Sequence, residues 1–321
     1  MKSEEKKMSV LLHEAAHENA IERVKLLIQQ GADINTQDNH GDTPLHKAAE
    51  SGATETAKLL IQQGADINTL NNHGNTPLHK AAWSGKTETV KLLIQLGADI
   101  NTQDNDGDTP LHKAAEWGKT ETVKLLIQLG TDINTRDNDG DTPLHKAAGW
   151  GKTETVKLLI QLGADINTQD NDGDTPLHKA VGWGVLGWGE TETVKLLIQL
   201  GADINTRDNH GNTFLHRAAE WGATELMKPL IQLGADINTR DNHGNTPLHR
   251  AAESGETEPV KLLIQLGTDI NTRDNHGNTP LHKAARSGKP ETVKLLIQLG
   301  TDINTRDNDG DTPLHLSLIH I

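Results

Sequence analysis

The string His13-Glu14-Ala15-Ala16-His17 has a spacing that suits hydrolytic metal chemistry. On a helix, two histidines four residues apart share one face, and the glutamate between them can act as base on a zinc-bound water. The segment Asp104-Asn105-Asp106-Gly107-Asp108 groups carboxylates as calcium loops do. However, Gly107 falls too early for an EF-hand, and Thr109 follows where more oxygen ligands are needed. Seventeen histidines add further donors, while cysteine is absent, so thiolate ligands, thiol nucleophiles and disulfides are excluded. No G-x-S-x-G string and no glycine-rich phosphate loop occurs, and no carboxylate pair stands in a plausible pocket.

The elements that would position these residues are repeated. The string D/N-N-x-G-x-T starts at Asp38, Asn71, Asp104, Asp137, Asp170, Asp208, Asp241, Asp274 and Asp307, a step of 33 residues broken only by 38 between Asp170 and Asp208. Self-similarity at such a period marks a stacked repeat architecture. It also weakens the zinc reading. Leu12-His13-Glu14-Ala15-Ala16 lies in register with Leu45-His46-Lys47-Ala48-Ala49, and Ala20 and Arg23 stand where a metzincin would continue with Gly and His. His13 thus heads a series that runs on through His46, His79, His112, His145, His178, His216, His249, His282 and His315.

Residues 104–136 show the local physics of one unit. Residues 104–108 are turn formers, with Gly107 free to take positive φ. Thr109 is placed to cap a helix and Pro110 to occupy its first position, where a missing N–H costs nothing. Leu111, Ala114 and Ala115 form one apolar side, and Gly118 ends the helix. Thr120 is then expected to cap a second helix. Val123, Leu125, Leu126, Ile127 and Leu129 make that helix apolar nearly all round, so neighbours must cover several sides of it. Gly130 stops it.

These units resemble ankyrin repeats. The T-P-L-H-x-A string stands as Thr43-Pro44-Leu45-His46-Lys47-Ala48 and returns at Thr76, Thr109, Thr142, Thr175, Thr246 and Thr279. The L-L-x-x-G-A-D-x-N string of the family matches at residues 92–101. The resemblance implies an all-α repeat solenoid, a curved stack of turn–helix–turn–helix units. Hairpin-like fingers and first helices would line its concave side, with second helices behind and the histidine series bridging backbone groups between repeats. It implies a protein-binding scaffold or adaptor without catalysis or cofactor. The expected boundaries are a polar tail 1–10, a cap repeat 11–37, and full repeats 38–70, 71–103, 104–136, 137–169, 170–207, 208–240, 241–273 and 274–306. A truncated repeat, 307–315, follows.

Nearly identical units serve as controls for one another, so differences stand out. The third and fifth turn positions are Asp/Asp in Asp106/Asp108, Asp139/Asp141 and Asp172/Asp174, but His/Asn in His73/Asn75, His210/Asn212, His243/Asn245 and His276/Asn278. The residues after Ala-Ala vary as Trp83-Ser84, Glu116-Trp117, Gly149-Trp150 and Glu220-Trp221, and the last residue varies as Leu70, Gln103, Arg136, Gln169 and Arg207. In ankyrin-like proteins such slots face the partner. The expected contact residues are Asp106, Asp108, Trp117, Asp139, Asp141, Trp150, Asp172, Asp174, Trp183, Trp188 and Trp221. Indoles beside carboxylates suit Lys or Arg side chains through ion pairing and cation–π contact. The net charge of −14 disfavours nucleic acid and favours a basic protein partner. The apolar run near the start is too short for a secretory signal, and no segment has the length of a membrane span, so a cytoplasmic location is expected.

Several features break the pattern. Residues 182–189 read Gly-Trp-Gly-Val-Leu-Gly-Trp-Gly, which adds five residues between two helices. Pro229 replaces a leucine in the middle of a second helix, where it is expected to cost a hydrogen bond and a core side chain. Phe214 replaces a helix-start proline. Such irregularities would also fit a decaying array without a defined partner. Residues 316–321 read Leu-Ser-Leu-Ile-His-Ile in place of a continued repeat. That hexapeptide resembles the translation of a transposon-end sequencing adapter, so a non-native tail without function is expected there.

Overall fold

A computed structural model describes residues 2–182 and 188–318. Among the described residues there are nineteen helices and no strand. They form two compact units, Met1–Asp165 and Ile166–Ile321. The first unit holds the helix pairs Lys2–His17/Ile21–Gln29, Pro44–Ser51/Thr54–Gln62, Pro77–Trp83/Thr87–Gln95, Pro110–Glu116/Thr120–Gln128 and Pro143–Gly149/Thr153–Gln161. The second holds Pro176–Gly182/Trp188–Gln199, Phe214–Glu220/Thr224–Gln232, Pro247–Ser254/Thr257–Gln265 and Pro280–Arg286/Pro290–Gln298, then Pro313–Leu318. The backbone of residues 2–10, expected as a tail, instead belongs to the first helix. Residues 183–187 of the insertion and 319–321 of the tail lie outside the described residues.

Each first helix starts as its residues dictate. Thr109 is the N-cap, with extended backbone, and Pro110 takes the first helical position. Leu111, Ala114 and Ala115 are fully buried, and the two small residues permit close helix approach. The second helix departs from expectation at its start. Lys119 is the N-cap and Thr120 lies inside the helix, its hydroxyl 2.9 Å from that of Thr155 in the next unit. Val123 and Leu126 are core residues, Leu125 and Ile127 are half-buried, and Leu129 is exposed. The apolar circumference is therefore covered on one side only. Phe214 does more than replace a proline: it is fully buried, and Thr213 and His216 still form the capping box.

The turns interlock between repeats. Asp104 Oδ1 accepts from the N–H groups of Asp106 (3.0 Å) and Asp108 (2.9 Å). Asn138 N–H donates to Asp106 O at 3.1 Å, and Asn138 Nδ2 donates to Asn105 O at 3.1 Å. The same pair of bonds joins Asn105 to the turn before it and recurs at Asn242 and Asn275 in the second unit. Gly107 has φ +81°, and a Cβ there would stand 2.5 Å from Asn138 N. Glycine is needed both for the conformation and for the approach of the next turn.

Candidate functional site

The histidine series ties successive units together. Thr43 N–H donates to His46 Nδ1 at 3.0 Å, which leaves the proton on Nε2, and Nε2–H donates to Asn75 O at 2.9 Å. His79, His112, His216, His249 and His282 repeat the arrangement on the carbonyls of Asp108, Asp141, Asn245, Asn278 and Asp311. Burial pushes the rings of His79, His178 and His249 down to about 4, so they stay neutral near pH 7. His13 belongs to this series. Its Nδ1 lies 2.7 Å from Ser9 O and its Nε2 2.8 Å from Asp42 O. Both nitrogens are engaged with backbone, so neither is aimed at a metal shared with His17.

The fifth turn position is internal, which corrects the expectation that Asp108, Asp141 and Asp174 face a partner. All three are buried. Lys113 Nζ lies 2.7 Å from Asp108 and 2.8 Å from Asp104, and Lys146 reaches Asp137 at 2.6 Å and Asp108 at 3.4 Å. Asp141 is one of the carboxylates that raise the pKa of Lys146 against the effect of burial. Arg217 bridges Asp174 (2.6 Å) and Asp208 (2.8 Å). Burial still pushes the Asp174 carboxyl up to about 6, with Asp170 and Asp208 adding to it against Arg217. Asp42 goes the other way. Burial raises it, but Asn71, Lys47 and Lys80 outweigh that and hold it at about 2. In the second unit, where the fifth residue is Asn212, Asn245 or Asn278, its amide donates to the first-position carboxylate, as Asn245 does to Asp241 at 3.1 Å. The Asp/Asn alternation is thus an exchange between two internal networks.

The last-residue slot is also structural. Gln103 donates to Arg136 O at 3.2 Å, Arg240 donates to Arg273 O at 2.7 Å, and Arg207 likewise reaches Arg240 O. These three long side chains fasten their turns to the next, whereas that of Arg136 is exposed.

The remaining expected residues are accessible. Asp106, Asp139 and Asp172 are exposed at the third turn position. Trp117 is 46% exposed and Trp150 54%, with rings 6.4 Å apart and nearly parallel, at 20°. Trp221, in the second unit, is 53% exposed. Trp183 and the side chain of Trp188 lie outside the described residues.

Lys80, Trp83 and Glu116 were not among the expected contact residues. Trp83 meets Trp117 edge to face at 5.4 Å, and Lys80 Nζ sits 5.6 Å above the Trp83 ring. Glu116 stands beside them, and Asn75, His79 and Lys113 complete the walls of a cleft of about 260 Å³. The signal was present: Trp83 precedes Glu116 by one period, and this juxtaposition occurs at no other junction.

A sequence model of ankyrin repeats in three copies matches residues 12–104, 97–170, 151–241, 185–274, 225–307 and 272–320. The chain belongs to the ankyrin repeat family. Ankyrin repeats generally serve protein–protein interaction. No curated protein compared with this ankyrin repeat chain gave a significant match. No helix among the described residues is long and apolar enough to cross a membrane.

Proposed function

We propose that this ankyrin repeat chain is a non-catalytic, cytoplasmic protein-binding scaffold without a cofactor. Its recognition surface combines third-position turn residues with the ends of first helices. In the first unit these are Asp106, Asp139, Trp117 and Trp150; in the second, Asp172 and Trp221. The observation that carries the reading is the solvent exposure of about half of each indole at Trp117 and Trp150, side by side on successive repeats. Large exposed aromatics are costly in water and favoured at the centre of interfaces. The exposed aspartates and the net charge of −14 favour a basic protein over nucleic acid. The engagement of both His13 nitrogens weighs against a zinc peptidase.

The test uses a partner captured on the full chain and then purified. Changing Trp117, Trp150 and Trp221 together to Ala is expected to leave the helical circular dichroism intact and weaken binding at least tenfold, since hot-spot truncations cost roughly 2 kcal/mol or more. Changing Asp106, Asp139 and Asp172 to Asn is expected to slow association and flatten its salt dependence. Unchanged affinity in the first variant, or an acidic partner, refutes the proposal.

A further inference from the structure

The cleft between Trp83 and Trp117 has an uneven charge balance. Its two ammonium groups are already neutralised. Lys80 Nζ lies 3.4 Å from Asp42 and 4.0 Å from Glu50, and Lys113 Nζ is held by Asp104 and Asp108. Glu116 is half-buried, yet its carboxylate makes no hydrogen bond or ion pair among the described residues. Burial raises its pKa, and the nearby charges of Lys113 and Lys146 offset this only in part. Glu116 is thus the charge of this cleft with capacity left to bind a cation. The volume of about 260 Å³ lies below the roughly 300–1,000 Å³ of small-molecule sites, so it suits one side chain rather than a cofactor.

Resting on the reading that the first-helix ends face a protein partner, we infer that this cleft receives a single arginine side chain of that partner. The guanidinium pairs with Glu116 and lies against the indole of Trp117. Arginine fits better than lysine for two reasons. A planar guanidinium can stack on an indole while donating in parallel to both oxygens of one carboxylate. It is also less strongly hydrated than an ammonium, so entering a half-closed cleft costs less. The compact cation position over Trp83 is already taken by Lys80. Other junctions lack the site for visible reasons. Gly149 stands where Glu116 does in the next repeat, and Glu220-Trp221 follows Gly182 rather than a tryptophan.

The experiment follows the indole N–H resonances of the full chain, which has six tryptophans. Single Trp→Phe variants assign them. The probes are N-acetyl-arginine amide, N-acetyl-lysine amide, N-acetyl-citrulline amide and inorganic phosphate at constant ionic strength. Arginine amide is expected to shift Trp83 and Trp117 saturably, to bind several-fold tighter than lysine amide, and to leave Trp221 unmoved. Citrulline amide and phosphate are expected to have no effect. Glu116→Gln should weaken arginine binding about fivefold, the upper range for a partly exposed ion pair. Trp83→Ala should abolish the saturable shift at Trp117. The inference fails if phosphate moves these resonances, if arginine and lysine act alike, or if Glu116→Gln binds as well as wild type. Should the purified partner lose affinity on Trp117→Ala and Trp150→Ala but not on Glu116→Gln, the recognition surface stands and the arginine assignment falls.

Discussion

Replacing Pro229 by leucine restores a backbone donor to the helix Thr224–Gln232, which spans the proline. The cost of that proline is visible in the preceding turn. In this helix Met227 N–H reaches Ala223 O, four residues back, only at 3.3 Å, and Leu226 N–H bonds to the same oxygen at 3.0 Å, three residues back; in the corresponding helix Val123, in the place of Met227, bonds to Lys119 O at 2.9 Å. A proline ring presses on the carbonyl four residues before it, here that of Glu225, and tightens the turn. The side-chain loss is smaller than the sequence suggested. The slots of Pro229 and Leu125 are both half-buried, and the core positions are Leu226, Met227 and Leu230. A mid-helix proline costs about 3 kcal/mol, and partial burial of the new leucine adds less than about 1 kcal/mol. Because repeat arrays open locally, the change is best read by hydrogen exchange at amides 225–234. At about 1.4 kcal/mol per decade, opening should become roughly a hundredfold rarer or more. Leu125→Pro should produce the opposite change in its own repeat. A shift of less than about fivefold in both variants would refute the assignment of strain to this residue.

Acid should unfold the array well above the usual carboxylate range. His79, His178 and His249 titrate near 4 when folded but near 6.5 when unfolded, so the unfolded chain binds more protons between these values. Stability is therefore full above about 6.5 and falls as pH drops towards about 4; urea midpoints that stay constant across this window would contradict it. Leu70→Arg should give the second repeat the fastening that Arg207 and Arg240 provide elsewhere, with a gain of about 0.5–1.5 kcal/mol in local opening free energy. Gly107→Ala should destabilise the Asp106 turn by at least 1 kcal/mol, because its φ is +81° and the new Cβ meets Asn138 N at 2.5 Å; a variant with unchanged exchange at Asn138 would show that the turns do not interlock as described.

The sequence by itself determined the repeat period, the helix starts at Thr-Pro, the glycine stops and the core of Leu111, Ala114 and Ala115. Those depend on local chemistry, which the near-identity of the units displays many times over. It also determined that His13 belongs to a series, since register alone exposes that. The side-chain partners across repeats were decided only by the tertiary structure. Asp106 and Asp108 look alike in a turn, yet one faces solvent and the other is buried against Lys113 and Lys146, because the next unit closes over the fifth position but not the third. Gln103 and Arg240 at repeat ends looked like surface, but they reach carbonyls a full period away. Leu129 looked like core, but it stays exposed, as do Leu96 and Leu162 at the same position of neighbouring repeats, because neighbours cover only one side of these second helices. Trp83 and Glu116 are far apart in sequence and meet in space only because stacked repeats bring the ends of successive first helices together.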